Sequence, residues 1–158
     1  MPVISFTNVN SPYGWLGNMS AFPIDYQNER WRTSEALFQA MRFEDPEIRR
    51  IIRAQTSPIA AKRKAKRLDI RHLMIVDPCS QQDLENMRIC LDLKFSQHPG
   101  LRRQLIQTGN DTLVEDVSKR PTARSLFWGM EYINNEWVGT NTLGLLLMEL
   151  RERLQNEL

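Results

Sequence analysis

The sequence predicts a mostly α, α+β fold. It reads as a single compact helical domain, residues 1–158, with a small antiparallel β element near the N-terminus. Three observations carry this reading. Polar capping residues stand ahead of prolines or apolar stripes at several points beyond residue 33, each marking a helix start. Near the C-terminus, Leu143, Leu146, Leu147, Leu150 and Leu154 share one face at helical spacing. Short alternations of apolar and polar residues between turn signals are concentrated in the first third.

Ile4 and Phe6 alternate and predict a strand, followed by the turn signal Ser11-Pro12-Tyr13-Gly14. Phe22, Ile24 and Tyr26 alternate again, Asn28-Glu29 offers a turn, and Trp31 falls on a returning strand. Together they read as an antiparallel hairpin. Thr33 or Ser34 caps a helix to about Phe43, with Leu37 and Met41 on one face. Asp45-Pro46 and Ser57-Pro58 each place a capping side chain before proline at the first helical position. Ile48, Ile51 and Ile52 form the buried stripe of the first of these helices, and the second opens the basic run Lys62 to Arg67. After an irregular link through Asp77-Pro78, Ser80 caps a long helix with Leu84, Met87 and Leu91 at helical spacing. Pro99 starts a short helix that ends at Gly109, and Leu113 to Val117 reads as a strand or extended segment. Trp128 and Trp137 stand beside glycines in segments that read as loops, and Thr140 or Asn141 begins the last helix.

Composition narrows the function classes. With 41% apolar and 25% charged residues the chain is an ordinary globular protein, neither a disordered tail nor a disulfide scaffold. No apolar run approaches the roughly 20 residues of a membrane helix, and nothing from Met1 to Ser11 reads as a signal peptide. Cys79 and Cys90 are expected as reduced thiols in a cytoplasmic protein. His72 and His98 stand alone, so no metal site is expected. Net charge is only +2, yet Arg42 to Arg71 holds ten Lys or Arg against four acids. Such a segment is either a solvated helix face or the footprint of an anionic partner such as a phosphate or nucleic acid.

Glu35 is the carboxylate of most interest. It falls in the first turn of its helix, where the macrodipole favours a negative charge, and Gln39 and Arg42 follow on the same face. The trio is suited to a polyhydroxy, phosphorylated ligand, or Glu35 merely complements the helix dipole. Asn18, in Gly17-Asn18-Met19-Ser20, is either a donor to sugar or phosphate or an ordinary turn residue. Trp128 and Trp137 are either stacking platforms for a planar base or plugs of a small core. Asn141 is the N-cap of the last helix, a ligand contact, or both. There is no Gly-rich phosphate loop, no Ser-His-Asp arrangement and no dinucleotide motif.

These pieces occur in an order that resembles the NADAR family, and within it the YbiA-like group. Trp31-Arg32-Thr33-Ser34-Glu35-Ala36-Leu37-Phe38-Gln39-Ala40-Met41-Arg42-Phe43 is similar to the family block Ser-Glu-x-x-Phe-Gln-Ala-x-Lys-Phe. Asn18, Ser57-Pro58 with Ala61-Lys62, Lys94-Phe95, Thr108-Gly109 and Leu113-Val114-Glu115 follow the family order. Trp128-Gly129 and the block from Asn141 to Arg151 complete a resemblance running from about Ile4 to Leu154. Two positions depart from it: Cys79 stands where close members have Trp, and Ser125 where they have Asp.

The resemblance implies a compact, largely helical N-glycosidase that needs no cofactor and no obligate protein partner. Its substrate would be a small phosphorylated ribosyl compound, a phosphoribosylamino-pyrimidine of riboflavin synthesis, or ADP-ribosylated guanine in nucleic acid. Glu35 would be the catalytic carboxylate that stabilises the sugar cation. Trp128 would stack on the departing base, Asn18 and Asn141 would orient sugar or phosphate, and Arg42 and Lys62 would neutralise phosphate. Trp31, Gln39 and Gly129 complete the substrate-binding set. The alternative is a non-catalytic ADP-ribose or nucleotide-binding module of the same fold.

Overall fold

The computed structural model describes residues 2–158, which form two compact units. One is Asn18–Gln97; the other joins the segment ending at Gly17 to His98–Leu158.

The unit Asn18–Gln97 holds a hairpin and four helices. In the hairpin, β2 (Ile24–Tyr26) pairs antiparallel with β3 (Glu29–Trp31), in the register Ile24 to Trp31 and Tyr26 to Glu29. The loop is Gln27-Asn28, both with positive φ, so the turn lies one residue earlier than Asn28-Glu29. Two left-handed residues give the twist a two-residue antiparallel loop requires. Helix α1 (Ser34–Ala40) starts from Thr33, whose hydroxyl accepts the Ala36 N–H at 3.1 Å, and all seven of its residues are buried. It ends short of the expected Phe43. Helices α2 (Pro46–Arg53) and α3 (Pro58–Ala65) start as the sequence predicts, with Asp45 and Ser57 as caps and proline in the first turn. Six of the ten basic residues of the segment thus lie on these two short helices, and Arg50 and Arg53 pair with Glu47 and Glu29. Helix α4 (Gln81–Gln97) buries Asp83, Asn86, Met87, Cys90, Leu91, Lys94 and Phe95, while Leu84 is only half-buried. Its buried stripe is thus shifted by a residue and carries three polar side chains.

In the other unit, β1 (Val3–Phe6) pairs in parallel with β4 (Thr112–Glu115) and takes no part in the hairpin. Ile4 and Phe6 point into the core, matching the alternation. Helix α5 (Pro99–Gln107) stops at Gly109, which adopts φ +65. Two elements were hidden in what reads as loops. Trp128 is the last residue of helix α6 (Ala123–Trp128), and Trp137 lies on a second hairpin. That hairpin joins β5 (Glu131–Ile133) to β6 (Glu136–Val138) through Asn134-Asn135, again both at positive φ. Helix α7 (Thr142–Asn156) buries its leucine face and packs on β4 and α5.

The approach of α7 to β4 requires Gly144. A Cβ there would overlap the Leu113 carbonyl oxygen and the Asn141 side chain. Gly144→Ala is expected to destabilise the protein by ~1–3 kcal/mol in urea unfolding, although alanine is the better helix former. An unchanged midpoint would show that α7 can slide away from β4.

Candidate active site

Helix α1 is enclosed on all sides, so every polar atom it carries must find a partner within the protein. Glu35 is 6% exposed, and each of its carboxylate oxygens accepts one amide N–H. Asn18 Nδ2 donates to Oε2 at 2.7 Å, and Gln39 Nε2 donates to Oε1 at 2.8 Å. Asn18 is held in turn, because the Ser34 hydroxyl donates to its Oδ1 and the Glu35 backbone N–H donates to its carbonyl at 3.2 Å. The loop bearing Asn18 is thereby laid against the first turn of α1, which fixes the carboxylate from both sides.

Gln39 is oriented by Arg42. Arg42 Nη1 donates to Gln39 Oε1 at 3.2 Å, which turns the amide nitrogen towards Glu35. Arg42 is itself buried and forks onto Asp83, with Nε to Oδ1 at 2.9 Å and Nη2 to Oδ2 at 2.8 Å. The guanidinium also lies 4.7 Å from the centroid of the Phe38 ring. Asp83 is wholly buried and additionally accepts the Cys79 N–H at 2.8 Å. Cys79 presents that N–H from a left-handed conformation, φ 64, just before the Ser80 hydroxyl accepts the Asp83 N–H at 3.3 Å.

Lys94, also fully buried on α4, donates to Ser20 Oγ at 3.0 Å. Its ammonium lies 5.7 Å and 5.4 Å from the Phe22 and Phe95 ring centroids. Burial pulls its pKa down to about 7, because a charged amine is penalised away from water. Burial pushes the Cys90 thiol well up, and the negative charges of Glu35 and Asp83 push it further. Cys90 is therefore a packing residue beside the site and no thiolate nucleophile.

Of the residues singled out in the sequence, the structure joins Asn18, Glu35, Gln39 and Arg42 into one buried network. Arg42 departs from the expected phosphate contact: its donors go to Asp83 and Gln39, since a buried guanidinium needs a carboxylate of its own. Trp31 lies off this network, in the wall of a pocket on the Leu37–Met41 side of α1, and Lys62 is half-buried on α3. In the other unit Trp128 packs edge-on to Phe127 at 4.9 Å, and Gly129 lies tight against the Glu115 carbonyl. Asn141 holds the N-cap position of α7, as expected, but its side chain makes no capping bond. Its φ of 58 turns the side chain onto β4, where Nδ2 donates to the Leu113 carbonyl at 2.9 Å and Oδ1 accepts the Glu115 N–H at 3.2 Å. Ser125 is likewise committed, its hydroxyl accepting the Thr122 N–H in the capping box of α6.

Sequence reasoning missed Ser34 as an orienting group, and it missed Asp83 and the burial of Lys94. A signal was present for the last two. Asp83 and Lys94 fall in register with Met87 and Cys90, so they are charged residues on an otherwise apolar helical stripe. Among the described residues, no group of three His, Cys, Asp or Glu is placed to hold a metal ion. Nor, among them, is any helix long and apolar enough to cross a membrane.

The family model described as the NADAR domain matches residues 5–155, across both units. The chain is 36% identical over 155 residues to the N-glycosidase YbiA of Escherichia coli (strain K12), covering 98% of this chain and 90% of that protein. The NMR structure of the E. coli protein YbiA superposes with a TM-score of 0.80 at 35% identity, covering 99% of this chain and 86% of that one. A protein of Vibrio vulnificus (strain YJ016) named as a riboflavin biosynthesis protein is 28% identical over 158 residues, which cover 96% of this chain and 38% of that protein.

Two variants test the network. Asp83→Ala leaves the Arg42 guanidinium buried without its carboxylate and is expected to cost ~3–5 kcal/mol in urea unfolding. A loss below about 1 kcal/mol would show that Arg42 finds water instead. For Lys94, the unfolded chain keeps its proton to the usual 10.5, whereas the folded protein releases it near 7. Between those values the unfolded state binds more protons, so stability must rise with pH. Relative to Lys94→Met, the wild type is expected to gain stability steadily from pH about 7 to about 10 and to show a flat difference below. A flat difference throughout would place the Lys94 ammonium in contact with water.

Proposed function

Because the chain belongs to the NADAR domain family, we propose that it is an N-glycosidase in which Glu35 faces the ribose of a scissile N-ribosyl bond. The observation that carries this reading is the buried carboxylate with an amide N–H on each oxygen and its nearest guanidinium neutralised by Asp83.

Breaking a C–N bond to ribose sends the electron pair with the base and leaves an oxocarbenium-like cation on the sugar, as in glycoside hydrolysis. An anion fixed beside the ring stabilises that charge without reorganising during the reaction. Asn18 and Gln39 are neutral donors, so they fix the direction of the Glu35 carboxylate while leaving its charge in place. Arg42 would cancel that charge if it turned towards Glu35, and Asp83 prevents this by holding both ends of its fork. Water then adds to the sugar cation, Glu35 takes the proton that the water releases, and this proton passes to the departing nitrogen, so the base leaves neutral and the carboxylate is regenerated.

The proposed substrate is a phosphoribosylamino-pyrimidine of riboflavin synthesis. Its support is the identity to an N-glycosidase across 98% of the chain and the likeness to a riboflavin biosynthesis protein. With Arg42 spent internally, Lys62 is the phosphate contact that remains of the two proposed. The reading with ADP-ribosylated guanine in nucleic acid has one observation in its favour, the solvent-facing basic residues Arg63 and Lys66 beside half-buried Lys62 and Lys64 on and after α3.

A chromatographic assay of base release separates these readings. Wild type is expected to release the base from the phosphoribosylamino-pyrimidine, with Glu35→Gln slower by about 10²–10³-fold. Glutamine sets one N–H against a donor of Asn18 or Gln39, so a thermal melt accompanies the assay to show that the variant is folded. Full activity in a folded Glu35→Gln protein would overturn the role of Glu35. Preference for an ADP-ribosylated guanine oligonucleotide, weakening steeply with salt, would reassign the substrate. No turnover of either substrate would leave a nucleotide-binding module.

A further inference from the structure

Trp31 leads to a second site in the unit Asn18–Gln97. The register of the hairpin puts Ile24, Tyr26, Glu29 and Trp31 on one face, while Asp25 and Arg30 pair with each other on the other. The first face meets the Leu37–Met41 side of α1 and encloses a pocket of about 440 Å³ with Val76, Arg49 and the start of α4. At 100° per residue, Leu37 and Met41 point away from Glu35, Gln39 and Arg42, so the pocket lies behind the helix that carries the catalytic carboxylate. Its volume suits a ring system of one or two rings.

The polar lining is rich in unused donors. Asn86 is 4% exposed, its Oδ1 accepts from Gln82 Nε2 at 2.9 Å, and its Nδ2 has no hydrogen-bond partner among the described residues. Arg49 is anchored by its Nε on the Phe43 carbonyl at 2.6 Å, which leaves its Nη groups to the pocket it lines. Trp31 is 3% exposed, and its Nε1 is buried without an acceptor. A buried donor in a native protein is nearly always satisfied, so the Trp31 Nε1–H, with the unpartnered Asn86 Nδ2 and the half-buried Arg49 Nη groups in the same wall, marks a place completed by something that brings acceptors. The one carboxylate on the rim, Glu29, is held by Arg53 at 3.0 Å. The walls around these donors are planar or soft: Tyr26, Trp31, Met41 and Val76.

We propose that this pocket binds a planar aromatic carboxylate, with its ring against Tyr26 and Met41 and its carboxylate on Arg49, Asn86 and the Trp31 indole N–H. A guanidinium with an amide donor beside it selects an anion with two acceptor oxygens. The aromatic wall selects a flat apolar body over a bare inorganic anion.

Titration of the full chain with 2-naphthoate, followed by ¹H–¹⁵N NMR, tests this. Saturable shifts are expected at the Trp31 indole N–H, the Asn86 side-chain amide and the Arg49 Nε–H, in wild type and in Glu35→Gln alike. Neutral 2-naphthamide is expected to bind at least about tenfold more weakly, and inorganic phosphate to leave these signals in place. Asn86→Asp keeps the acceptor for Gln82 but turns the free donor into a like charge, so it is expected to weaken naphthoate by at least about tenfold. Arg49→Gln, checked by its melt, is expected to do the same. Non-saturating shifts, equal affinity for the amide and the acid, or shifts centred on the Asn18 and Gln39 side-chain amides would each overturn the proposal.

Discussion

The fork of Arg42 on Asp83 is the interaction on which the rest of the site depends. Its members are 4% and 0% exposed, so neither charge has an appreciable share of water to fall back on. Desolvating two such ions costs several kcal/mol each, and only good geometry with further hydrogen bonds recovers it. Here both guanidinium–carboxylate bonds are short, at 2.9 and 2.8 Å, and the Cys79 N–H supplies a third donor to Asp83. The pair ties the turn that follows α1 to α4 and leaves Arg42 one nitrogen with which to fix Gln39. The orientation of the Glu35 carboxylate is thus inherited from an ion pair on the far side of the amide. A hydrophobic pair of similar volume could hold the helices together equally well, but it would not set the Gln39 amide.

Helix α1 illustrates how seven buried residues can serve two environments. Its apolar side, with Leu37 and Ala40, packs under the β2–β3 hairpin, and its polar side carries Glu35 and Gln39. The Thr33 hydroxyl starts the helix, which frees Ser34 to reach back to Asn18. Such a helix has little intrinsic stability at its length; packing and side-chain hydrogen bonds hold it. Movement of α1 against the hairpin would therefore also move Glu35, and the Asn18 and Ser34 bonds oppose that movement.

The legible parts of the fold were those written in local chemistry. Asp45-Pro46, Ser57-Pro58 and Ser80 started helices because their side chains accept backbone N–H groups within one turn. Gly109 stopped one because it takes positive φ without penalty. What was hidden was either non-local or chemically unusual. The parallel pairing of β1 with β4 joins residues more than a hundred positions apart, and no local signal records it. The two hairpin loops, Gln27-Asn28 and Asn134-Asn135, reach a double left-handed turn without glycine, so the strongest hairpin signal was missing. Arg42 was legible as a neighbour of Gln39 but not as a partner of Asp83, because their separation of 41 positions is bridged only in the folded chain. Asn141 read as a possible ligand contact because asparagine serves caps and ligands with the same atoms, and the structure shows its side chain engaged with the backbone of β4.

The distribution of charge explains why a buried site with so many polar atoms is not self-cancelling. Glu35, Arg42 and Asp83 together carry one more negative than positive charge, and the geometry localises the excess. The positive charge sits in the Asp83 fork, while Glu35 meets only neutral amides. In a medium of low dielectric, where an ion pair is worth far more than in water, this partition decides how strongly the carboxylate would respond to a positive charge brought beside it. An arginine between two equivalent carboxylates would share its charge and blunt that response. Tying it bidentately to one of them, at the opposite end of the network, preserves the field of the other. The same logic gives the serine, asparagine and glutamine around Glu35 a common purpose. They are polar enough to satisfy a buried carboxylate and neutral enough not to quench it.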